Sequence, residues 1–155
     1  MTNRTGIQLA TEIATQKRDA CQKRLSIVER HHSATLGQME QLQSYAVDKD
    51  IHWTSPSFGA VSGEIVKHHY QFMGRLQEAM NMQSGAVSAA GKQVAGARLL
   101  LAEAETRLEG LKRVYQNRVK ERDMKVKRQD QKQTDDFASQ QYARRRAQIE
   151  QGESV

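Results

Sequence analysis

The chain has 155 residues, 24 Lys+Arg against 18 Asp+Glu and a net charge of +6, with only 37% hydrophobic and 5% aromatic residues. That is too little apolar mass for a multilayer interior, which argues against an enzyme fold with an enclosed pocket. The lone Cys21 excludes an internal disulfide and a cysteine-based zinc site, and the positive balance points to an acidic protein partner or a nucleic acid without choosing between them.

The first predicted element is a helix over about residues 6–49, proline-free and rich in good helix formers. Ile7, Ala14, Cys21, Val28, Thr35 and Leu42 recur every seven residues, and Leu25, His32, Met39 and Ala46 form the interleaved row. Thr11 and Arg18 weaken that second row near the start. A turn over about residues 50–62 follows, containing Pro56, the only proline. Ser62 then offers an N-cap, and Glu64 sits where the helix dipole favours a carboxylate.

The second predicted element is a long helix over about residues 63–148. Its first stripe reads Ile65, Tyr70 or Phe72, Leu76, and Ala79 or Met80. Gly85, Gly91 and Gly96 make residues 85–96 a place for a bend, and their small size allows close helix approach. Val94, Ala97, Leu101, Ala104, Leu108, Leu111 and Tyr115 then alternate steps of three and four, a strong coiled-coil signal. Beyond Tyr115 the seam thins to Val119, Val126 and Phe137. Residues 112–132 carry nine basic side chains against three acidic ones, and Arg144, Arg145 and Arg146 follow.

Two long helices around one break predict an all-α fold: a long antiparallel two-helix coiled-coil hairpin, read as one coiled-coil domain over residues 1–155. With the turn centred near residue 57, paired residue numbers sum to about 114. Leu42 then faces Phe72, Gln38 faces Leu76, Thr35 faces Ala79, and Ile7 faces Arg107 and Leu108. Everything after about residue 112 is left without a partner, as an overhanging basic C-terminal helix.

No catalytic, cofactor-binding or metal-binding constellation emerges. The glycines lack the phosphate-loop pattern. His31-His32 and His68-His69 are adjacent pairs pointing about 100° apart on a helix, so with His52 they read as solvated side chains, and Glu64 with His68 as an i,i+4 contact. Cys21 reads as seam packing. Tyr115, Phe137 and Tyr142 are too widely spaced to stack nucleic-acid bases, so no nucleic-acid partner is expected. The start of the chain shows no secretory h-region, and residues 94–104 are too short and too charged to cross a bilayer, so a cytoplasmic protein is expected.

Three stretches carry a resemblance to a known family. They are Gln38-Met-Glu-Gln-Leu-Gln-Ser-Tyr45, Tyr70-Gln-Phe-Met-Gly-Arg-Leu-Gln-Glu-Ala79, and Asp130-Gln-Lys-Gln-Thr-Asp-Asp-Phe-Ala138 with the arginine-rich end after it. In this order, and with this length and charge, the chain resembles the FliJ family of flagellar export proteins. The resemblance implies a non-enzymatic coiled-coil stalk of the flagellar type III export ATPase, involved in flagellum biogenesis and motility. Its terminal end is expected to enter the ATPase hexamer, and its hairpin tip to contact the export-gate platform protein in the membrane. Binding and recycling of export chaperones is also implied, as is peripheral association with the cytoplasmic face of the inner membrane at the flagellar base.

Carried over residue by residue, the gate-facing patch is Gln38, Leu42, Tyr45, Phe72, Leu76, Ala79 and Gln83. Lys49 departs from the aromatic common in the family, and Gln83 from the histidine of some members. The ATPase contact is a zone rather than a site: Arg118, Lys120, Arg122, Lys125, Lys127 and Arg128. Alternative readings are the equivalent stalk of a virulence type III secretion system, a basic nucleic-acid-associated coiled coil and a self-associating scaffold.

Overall fold

The computed structural model describes residues 5–54 and 62–154, which form two helices, α1 over Gly6–Thr54 and α2 over Gly63–Gly152. The start of α1 is capped. The backbone N–H of Thr5 donates to Gln8 Oε1 at 3.1 Å, and the Thr5 carbonyl accepts from Leu9 N–H at 3.2 Å. This is one half of a capping box, with a glutamine at the third helical position. At α2 the Ser62 carbonyl accepts from the N–H groups of Ile65 and Val66, with Glu64 in the first turn.

α1 continues to Thr54 rather than ending at about residue 49. Nothing between Asp50 and Thr54 breaks a helix, and the first obstacle is the bias that Pro56 places on the residue before it. The break at residues 55–61, with Pro56 itself, lies outside the described residues. α2 is helical through residues 85–96 and runs to Gly152.

Two compact units make up the fold, Glu12–Leu108 and Met1–Thr11 with Glu109–Val155. Within the first unit the helices pack antiparallel as a hairpin. Ala14, Val28 and Thr35 are buried along α1, and Cys21 and Leu42 of the same heptad row are half-buried. Leu25, His32, Met39 and Ala46 are half-buried in the interleaved row. α2 answers with Leu76, Ala90, Val94, Ala97, Ala104 and Leu108. Val28, Val94 and Ala97 form a buried cluster, with Leu25 packed against it. The buried Thr35 hydroxyl donates to the His32 carbonyl at 2.8 Å, so its polar atom is satisfied inside the seam. Where α2 is built of small residues the helices come close: Ala90 is buried, and a Cβ on Gly91 would lie 3.6 Å from His32 Nε2.

Two expectations need correction. The first stripe of α2 is not Ile65 and Tyr70 or Phe72; those three are exposed, and the half-buried row is Val66, His69 and Met73, leading to buried Leu76. The antiparallel register is also displaced. Thr35 and Gln38 meet Gln83 rather than Ala79 and Leu76, Phe72 meets Tyr45 rather than Leu42, and Glu29 meets Arg98. Against a turn centred at residue 57, Phe72 and Gln83 lie about one to two turns late and Arg98 between three and four turns late.

In the other unit, Gln8 Nε2 donates to the Tyr115 hydroxyl at 3.2 Å. Tyr115 thus has a partner in α1, just beyond the expected limit at about residue 112. Every residue from Lys112 to Ser154 is exposed. Two ion pairs are local along the helix, Lys112 with Glu109 and Arg146 with Glu150.

Candidate partner-binding surfaces

Near the connected end of the hairpin, two aromatic pairs form between the helices. Tyr45 of α1 meets Phe72 of α2 edge to face, with ring centroids 5.9 Å apart at 74°. Both rings stay exposed, so the pair presents apolar area to solvent while fixing its own geometry. Lys49 Nζ lies 5.4 Å from the Tyr45 ring centroid, a cation over an aromatic face. One layer nearer the connection, the rings of Trp53 and His69 stack in parallel with centroids 4.0 Å apart.

Further along, Gln83 crosses the seam. Its Nε2 donates to the Thr35 carbonyl at 2.8 Å and to Gln38 Oε1 at 3.0 Å. The seven residues expected to form one patch therefore hold different stations. Gln38, Tyr45 and Phe72 are exposed; Leu42, Ala79 and Gln83 are half-buried; Leu76 is 7% exposed and belongs to the seam. The structure joins them in two contacts, Tyr45 with Phe72 and Gln38 with Gln83, and leaves Leu76 beneath as packing. Sequence reading missed Trp53 and His69, although the signal was present. Seven residues beyond Ala46 is Trp53, and seven before Leu76 is His69.

The second surface is the exposed stretch of α2. Arg118, Lys120, Arg122, Lys125, Lys127 and Arg128 are all exposed, in company with Val119, Met124 and Val126. They are distributed around the helix rather than gathered in one stripe, as suits a helix approached from several sides. Among the described residues no group of His, Cys, Asp and Glu is arranged to hold a metal ion, and no helix is long and apolar enough to cross a membrane. Among the described residues the grooves beside the seam are open.

Comparison with curated proteins gave no match, and neither did comparison with solved structures. A family model does match: flagellar FliJ protein, over residues 7–147, nearly the whole chain. The two long packed helices agree with the fold that the resemblance implies. The chain belongs to the flagellar FliJ protein family, whose members are non-enzymatic components of flagellar export.

Proposed function

We propose that the chain is the stalk and coupling component of the flagellar type III export apparatus. In this reading its terminal end binds the export ATPase hexamer, the patch near the connected end of the hairpin binds the export-gate platform protein, and the chain escorts export chaperones. It works at the cytoplasmic face of the inner membrane, held there by the gate. The observation that carries the reading is the contrast along α2. Residues 76–108 include six buried positions, whereas residues 112–154 bury none and are strongly basic to residue 132. A helix 90 residues long that leaves its last 40-odd residues uncovered in isolation suits a surrounding protein.

The Tyr45–Phe72 pair supports the gate contact, because exposed aromatic rings held by each other are suited to anchor an interface. The test is capture of the export-gate platform protein by chain carrying Tyr45→Ala and Phe72→Ala. Retained helicity with weakened capture is the expected result. Unchanged capture by the folded variant would remove the patch from the account. Leu76 is not a clean probe, since truncating a buried seam residue lowers stability as well.

A further inference from the structure

The two aromatic pairs line an open cleft of about 340 Å³ between α1 and α2, at the edge of the patch assigned above to the gate. Tyr45 and Phe72 line it together with Trp53 and His69, and Ile65 adds an aliphatic surface. These walls are held by contacts between the helices, the 5.9 Å edge-to-face pair and the 4.0 Å stack. Such a cleft is formed before a partner arrives, which lowers the ordering cost of filling it.

The remaining lining residues are Lys49, His52 and His68, and no carboxylate is among the described residues that line the cleft. The nearest acids in sequence, Asp48, Asp50 and Glu64, do not line it. Lys49 already stands over the Tyr45 ring, so a fixed positive charge borders the aromatic walls. Apolar walls with a cationic border fit one kind of visitor: an apolar or aromatic side chain with carboxylates next to it. We propose that this cleft docks a hydrophobic–acidic segment of a protein partner, with the apolar side chain between the aromatic pairs and the carboxylates against Lys49 and His68. The proposal rests on the reading of the neighbouring patch as a docking surface, and it adds the chemistry of what is docked.

Trp53 is the chain's only tryptophan, so its fluorescence reports on the cleft alone. The probe is a capped peptide with one phenylalanine between glutamate and aspartate, titrated into the full chain at low salt. Two control peptides carry lysines in place of the acids, or alanine in place of phenylalanine. The acidic aromatic peptide is expected to perturb Trp53 and to bind about tenfold more tightly than either control. Lys49→Glu with His68→Glu, both at exposed positions outside the seven-residue patch, is expected to reverse the charge preference without loss of helicity. Equal affinity for acidic and basic peptides, or an unchanged preference in the double variant, overturns the proposal. The measurement needs no export component. Peptide discrimination alongside failed gate capture would therefore count against the gate reading while supporting the cleft.

Discussion

Ile27 and Val28 are adjacent and chemically alike, yet Val28 is 3% exposed and Ile27 54%. The heptad row separates them where hydrophobicity does not. Val28→Ala removes packing from the cluster with Val94 and Ala97 and is expected to cost about 2 kcal/mol in urea unfolding followed by circular dichroism. Ile27→Ala should stay within about 0.5 kcal/mol of the parent. Equal costs would mean that the seam is drawn wrongly. The same logic explains what the sequence hid in α2. Ile65 and Tyr70 attract attention because they are large and apolar, but both are exposed, while the seam there uses His69. A histidine can take a half-buried seam position here because Trp53 offers it a flat stacking surface, a fact that belongs to the pairing and not to either helix alone. Gly85 makes a different prediction. It is helical, and a Cβ there would meet nothing within 4 Å. Gly85→Ala should therefore stabilise the fold by about 0.5–1 kcal/mol, read as a raised thermal midpoint.

At the scale of the helices, most of α1 was legible because six positions in steps of seven suffice to mark a seam, and Ala14, Val28 and Thr35 are indeed buried. The clear row from Val94 to Leu111 was legible for the same reason, and stepping it backward by sevens reaches Val87, Met80, Met73 and Val66, all half-buried. The register was not legible, because the heptad rows of the two helices mark which faces pack and not which residues lie opposite one another. The ion pair between Arg98 and Glu29 is a marker of that register rather than a source of stability. Both side chains are well exposed and 3.4 Å apart, so Glu29→Ala is expected to cost less than about 1 kcal/mol. A double-mutant cycle between the two should still show coupling at low salt that fades as salt is raised; no coupling at low salt would contradict the register.

For the whole molecule, composition bounded the size of the core and not the function. A chain 37% hydrophobic makes a thin seam, and its remaining surface must stay hydrated or be covered by other proteins. The basic zone was legible as charge, but charge alone left nucleic acid and protein open; membership of the FliJ family assigns the chain to flagellar export. The contacts joining Tyr45 to Phe72 and Gln38 to Gln83 were only half legible, since the residues were named and their pairing was not. The central claim is that exposed α2 engages the export ATPase while the hairpin end serves another partner. The most direct test is turnover of the flagellar export ATPase with three forms of the chain: the parent, an Arg118→Glu, Arg122→Glu, Lys125→Glu variant, and the Tyr45→Ala, Phe72→Ala variant. Stimulation by the parent and the aromatic variant, and its loss with the charge-reversed one, is the predicted result; full stimulation by the charge-reversed chain would contradict the account.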